Sequence, residues 1–176
     1  MSRTRGVLLL TMVVLALAFG CKKKAEPPKQ IEAFNCDSAA GLIGTDQAIV
    51  DTESPAEGSG SLMMLSSQRS TVALFQVKDP GLGGAKFLVQ FKMKVKDFNG
   101  DAYGQMNLSF ESGGTQTVDN RACCAIGADS DWVPMTLTWE IKDKSKKVSS
   151  LGINAVLAGD GTAWVDDVKV TRVPLP

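Results

Sequence analysis

The chain has 176 residues, 19 basic and 19 acidic, with 44% hydrophobic residues, 17 glycines and no histidine. That length supports one domain with a real core rather than two, and the lack of histidine excludes His-ligated metal centres and His general-base triads. Beyond residue 30 the chain carries 13 Lys and Arg against 18 Asp and Glu, a mildly acidic body that argues against a nucleic-acid partner.

In chain order, Ser2-Arg3-Thr4-Arg5 is a short positive segment and Gly6 to Phe19 an apolar run, shorter than the ~20 residues that span a bilayer. Gly20-Cys21 and three lysines follow. This arrangement resembles a bacterial lipoprotein signal: residues 1–20 as the signal peptide, Cys21 as the lipidated residue and residues 21–30 as a tether to a domain over residues 31–176. Ordinary secretory cleavage after Ala18-Phe19-Gly20 is the alternative. Lys22 directly after the cysteine implies the outer membrane of the cell envelope, reached through the lipidated N-terminus. The stretch from Lys22 to Lys29, with Pro27-Pro28, reads as a charged, stiff leash.

From Ile31 onward short alternating runs are separated by Gly, Asp, Asn and Ser, with no long amphipathic helical pattern. Ala48 to Asp51 predicts a strand, followed by an acidic turn over Glu53 to Gly60. Ser61 to Ser66 and Thr71 to Val77 predict a strand pair about Ser67-Gln68-Arg69-Ser70. Lys86 to Lys96 is the clearest element: Phe87, Val89, Phe91, Met93 and Val95 lie on one face, and Gln90 and the lysines on the other. Asn99-Gly100-Asp101 is a turn signal. Met106, Leu108 and Phe110 then form a core face opposite Tyr103, Gln105, Asn107 and Ser109. Gly113 to Ser130 reads as a polar loop or ragged strand. In Trp132 to Lys142, Val133, Met135, Leu137, Trp139 and Ile141 face inward. After a charged turn over Asp143 to Lys147, Val148 to Leu157 is another strand. A tight Gly159-Asp160-Gly161 turn then feeds the last one, where Trp164, Val168 and Val170 share a face by alternation. Asp166 falls on that same apolar face, and a carboxylate there must be paired, hydrogen-bonded or cation-bound. Eight or nine strands with turns at this spacing predict an all-β, two-sheet antiparallel β-sandwich, with a jelly roll suiting the long uneven loops better than a barrel.

Three segments carry a family resemblance: Glu57-Gly58-Ser59-Gly60-Ser61-Leu62, Asp131-Trp132 with Met135-Thr136-Leu137, and Gly159 to Val168. In this order they resemble carbohydrate-binding modules of the galactose-binding-like jelly-roll superfamily, over Phe34 to Val173. The resemblance implies a structural calcium near the chain ends, with Asp166 as the matching ligand and Asp37 or Asp51 as its N-terminal partner. The alternative is that Asp166 caps backbone amides or pairs with a lysine. It also implies a sugar site on a sheet face, for which the polar sides of the middle strands offer Gln90, Tyr103, Gln105, Asn107, Thr138, Glu140 and Asn154. Amides and a phenol satisfy sugar hydroxyls, although a solvated sheet face needs polar residues in any case.

With Cys21 acylated, Cys36, Cys123 and Cys124 remain. The expected disulfide joins Cys36 to Cys123 or Cys124, with a vicinal Cys123–Cys124 bridge as the alternative. The leading functional expectation is a lipid-anchored, non-catalytic module that binds glycan. The runner-up is a sandwich of the same shape that docks another envelope protein. No G-x-S-x-G elbow or phosphate loop occurs, so an enzyme is not expected. A glycosidase pair of Glu111 and Glu140 would need carboxyls about 5–10 Å apart, whereas alternation puts Glu140 on a solvated face.

Overall fold

The computed structural model describes residues 26–176; the signal segment, Cys21 and the first half of the tether lie outside them. The elements are β1 (Lys29–Phe34), β2 (Ile49–Asp51), β3 (Ser61–Ser67), β4 (Ser70–Leu82), β5 (Ala85–Phe110), β6 (Thr115–Asp119), α1 (Arg121–Cys124), β7 (Ser130–Ile141) and β8 (Lys147–Pro174). The first strand, β1, starts at Lys29, which pairs with Arg172 of β8.

The frame is one ribbon. β5 and β8 run 26 and 28 residues and pair antiparallel from Ala85↔Pro174 to Phe110↔Val148. A straight ribbon of that length would leave its apolar side in water, so it folds back on itself near Lys96–Asn99, where the register shifts. The first half of β5 and the second half of β8 make one layer, flanked by β7 on one side and by β1 and β3 on the other, with β2 outside β3. The second half of β5 and the first half of β8 make the other layer, flanked by β6 and β4. All pairings are antiparallel.

The layers close on one apolar core. Phe87, Val89, Phe91, Met93 and Val95 are each no more than 4% exposed, as the alternation requires. Across the sandwich, the Phe91 ring packs where a side chain at Gly104 would stand. Phe34 of β1 stacks on Phe75 of β4 with centroids 4.1 Å apart. The fold is the expected all-β antiparallel sandwich of jelly-roll type.

Four local expectations give way. Asn99-Gly100-Asp101 and Gly159-Asp160-Gly161 are not hairpin turns. They pair with each other, Asn99↔Asp160 and Gly100↔Gly159, and form the corner at which both long strands pass between layers. β3 and β4 are not a strand pair, since β3 pairs with Asp160–Val165 in one layer and β4 with Lys147–Leu157 in the other. Gly113 to Ser130 contains both β6 and the four-residue α1.

The fourth concerns Asp166. Between Gln90↔Lys169 and Lys92↔Asp166, β8 carries one extra residue, and Asp167 takes a left-handed backbone with φ 53°. This bulge inverts the alternation. Val165, Val168 and Val170 face the core, while Trp164 and Asp166 share the outer side with Lys94 and Lys92. Asp166 is nevertheless fully buried, because the segment between β2 and β3 covers it.

Candidate functional site

The expected ligand residues divide between the two outer faces. Tyr103, Gln105 and Asn107 alternate along the second half of β5, beside Val156, Asn154 and Gly152 of β8 and opposite Asp119 and Thr117 of β6. Asn154 Nδ2 donates to Gln105 Oε1 at 3.3 Å, and Thr117 Oγ1 donates to Asn107 Oδ1 at 2.9 Å. Each neighbour thereby fixes the orientation of an amide, leaving Gln105 Nε2 and Asn107 Nδ2 without a protein partner among the described residues. Oriented, uncommitted donors of this kind suit hydroxyl ligands.

Gln90 and Glu140 lie on the other layer. Gln90 is exposed beside a 210 Å³ depression lined by Lys92, Pro134, Thr136, Asp167 and Lys169. Glu140 is exposed near the end of β7, in register with Lys86 and on the same side of the sheet as Thr138. They do not join Tyr103, Gln105 and Asn107 in one site, because alternation reports which side of a strand a residue faces but not which layer the strand belongs to. Glu111, at the end of β5, is paired with Lys147.

Tyr103 is no open stacking platform. Although it faces outward it is 2% exposed. The Arg121 guanidinium lies 5.8 Å from its ring centroid, and Arg69 Nη2 donates to its hydroxyl at 3.3 Å. Arg121 Nε and Nη2 both donate to Asp101 Oδ2, at 3.0 and 2.9 Å. The turn carrying Arg121 is anchored by Asn120, whose buried Oδ1 accepts from Gly104 N–H at 2.9 Å. Neither arginine was identifiable from the sequence: each comes from a connection whose path across the sheet has no periodic signal.

The three acidic residues expected near the chain ends, Asp166, Asp37 and Asp51, all hold the same segment, Thr52 to Gly60. Asp166 Oδ2 accepts from Ala56 and Glu57 N–H at 2.9 and 2.8 Å, and its Oδ1 from Asp167 N–H at 2.6 Å. Asp37 Oδ1 accepts from Ser59 and Gly60 N–H at 2.6 and 2.9 Å. Asp51 accepts from Glu53 N–H at 3.0 Å and from Trp164 Nε1 at 2.6 Å. Backbone donors hold the Asp37 and Asp51 carboxyls below the usual carboxylate range. Burial pushes Asp166 up, outweighing its three amide donors.

Calcium takes six to eight oxygen ligands. The groups aimed at Asp166 are N–H donors, and among the described residues no cluster of three or more acidic or cysteine side chains converges on a metal position. These residues do not fit a calcium cage. They fit the alternative role, a carboxylate capping backbone amides. The melting temperature is therefore expected to be the same in calcium and in a chelator; a calcium-dependent rise in thermal denaturation would reverse this assignment.

The expected Cys36 disulfide does not form. Cys36 sits in the core at the end of β1, 2% exposed and unpaired, its thiol pushed up to about 12 mainly by burial, with Asp166 adding to it. The bridge instead joins the adjacent Cys123 and Cys124 on α1, at the margin of the Tyr103 layer.

A jelly-roll sandwich built this way has the fold of β-sandwich carbohydrate-binding modules. The chain superimposes on the CBM22-1 xylan-binding domain of Paenibacillus barcinonensis Xyn10C with a TM-score of 0.62 at 13% identity, covering 87% of this chain and 99% of that one. The CBM22-1–CBM22-2 tandem domain of the same enzyme gives 0.64 at 15% identity, over 86% of this chain and 49% of that one. A family 16 carbohydrate-binding module gives 0.53 at 7% identity, over 73% and 89%. At these identities the likeness is one of fold. No protein-family model and no curated protein matches the sequence.

Proposed function

We propose that the protein is a non-catalytic carbohydrate-binding module, held at the bacterial cell envelope through a lipidated Cys21, and that it binds glycan on the outer face carrying Tyr103, Gln105 and Asn107. The observation that carries this reading is the pair of oriented amides, Gln105 and Asn107, with free donors on one sheet face. The sandwich fold shared with xylan-binding and other carbohydrate-binding modules supports it. The signal-like N-terminus supports the anchor, whose outer-membrane sorting is part of the proposal.

The test is a glycan array followed by calorimetry on the best ligand. Each lost hydrogen bond is worth about 1 kcal/mol, so the double variant Gln105→Ala/Asn107→Ala should bind about tenfold or more weakly. Gln90→Ala and Glu140→Gln, on the opposite layer, should bind as the parent does. Undiminished affinity in the double variant would remove the site from this face.

A second reading rests on a separate surface. Ile49 and Leu65, 57% and 72% exposed, flank a 280 Å³ depression with Met63 and Val72 at the β2–β3 edge. Clustered exposed apolar side chains mark interaction sites, as the interaction-protein alternative requires. A stoichiometric envelope protein lost on Leu65→Ser, together with no response to any sugar, would favour it.

A further inference from the structure

We infer that the glycan taken by this face carries a carboxylate, as a uronic acid does, and that Arg69 is the residue that receives it. This rests on the carbohydrate-binding reading above and specifies the ligand class. Two guanidinium groups meet at Tyr103, and they differ in what neutralises them. Arg121 spends two donors on Asp101 and lies against the ring, so its charge is answered within the protein. Arg69 is exposed, makes one hydrogen bond, to the Tyr103 hydroxyl, and among the described residues has no carboxylate within salt-bridge distance.

A guanidinium stays charged at any physiological pH and offers five N–H donors in a planar fork. One contact with the phenol oxygen leaves most of that fork unspent. The phenol belongs to a ring immobilised under Arg121, so the bond steadies Arg69 at the end of the row that continues through Gln105 and Asn107. A carboxylate accepts two parallel N–H bonds from such a fork, a geometry that neutral hydroxyls do not reproduce. The face then reads as a row of amides for sugar hydroxyls ending in one cation for a sugar acid. It places the acidic residue of the glycan at the Tyr103 end.

The experiment compares uronic-acid-bearing oligosaccharides, glucuronate and galacturonate types, with their carboxyl-reduced counterparts, which keep the same backbone without the charge. Calorimetry on the parent protein should show the acidic form binding about tenfold more tightly than the reduced form, with the difference shrinking as salt rises. Arg69→Gln should abolish the preference while leaving affinity for the reduced form within about twofold. Tyr103→Phe, which removes only the hydroxyl that steadies Arg69, should weaken the preference in the same sense. Both variants should melt close to the parent. Equal affinity for the two forms, or a preference that survives Arg69→Gln, overturns the inference and leaves the carbohydrate-binding reading standing. Failure of the parent to bind either form of any oligosaccharide overturns both.

Discussion

Replacing Asp166 with alanine is expected to cost about 3 kcal/mol of stability and to lower the melting temperature by on the order of 10 °C. The carboxylate is fully buried and accepts three backbone N–H bonds. Hydrogen bonds to a charged acceptor are worth about 1.5–3 kcal/mol each, and truncation leaves their donors unpaired. The cost is limited because Ala56 and Glu57 lie in a surface segment that can turn its amides to water once released. The segment would lose its central support and keep only Asp37 and Asp51 at its ends. Chemical and thermal unfolding give the energy, and limited proteolysis should show cleavage between Thr52 and Gly60 well before global unfolding. A loss under about 1 kcal/mol with an intact protease pattern would mean that the segment is held some other way.

Asp166→Asn separates charge from shape. Burial raises the folded-state value of the Asp166 carboxyl, so the native state takes up a proton there more readily than the unfolded chain. Its titration contributes stability that is complete below about pH 4, the unfolded value, and is lost as pH rises through the raised folded value. Asp37 and Asp51 run the other way: their lowered values contribute above about pH 4 and are lost as pH falls below it. Acidifying from neutrality toward pH 4 should therefore stabilise the parent relative to Asp166→Asn. Below that range both proteins should weaken together.

Alternation along Lys86 to Lys96 and Trp132 to Lys142 correctly predicts core faces, because each is a regular strand packed on one side. The same rule misplaces Trp164 and Asp166, because one extra residue at Asp167 reverses parity and no local pattern announces it. Asp166 is a carboxylate out of water, as its neighbours in the sequence indicate, but what covers it is a segment more than a hundred positions away. Gln105 and Asn107 were legible as neighbours, being two apart on one strand. That Gln90 and Glu140 belong to the opposite face depends on the ribbon's fold, a tertiary fact. The glycine-rich stretches were legible as breaks in regular pairing; their pairing with each other was not.

That corner supplies the other large effect. Gly159→Ala is expected to cost more than about 4 kcal/mol, enough to leave little folded protein. A Cβ at Gly159 would run into the carbonyl of Asn99, one at Gly100 into the carbonyl of Ala158, and one at Gly161 into backbone at Asp97 and Phe98. The obstructing atoms are main chain, so no side chain can rotate away, and relief requires parting the two strands at the point where both change layers. Gly100 and Gly161 add positive φ angles of 141° and 133°, which L side chains rarely adopt. Gly113→Ala is the matched comparison. It has a positive φ of 90° but nothing within 4 Å, so it should cost only about 1–2 kcal/mol and remain folded. Expression, circular dichroism and urea unfolding of the two variants side by side distinguish backbone crowding at the corner from the general cost of replacing glycine. If Gly159→Ala unfolds no more easily than Gly113→Ala, the two strands do not pack backbone to backbone there, and the sandwich is not closed by one ribbon bent on its glycines.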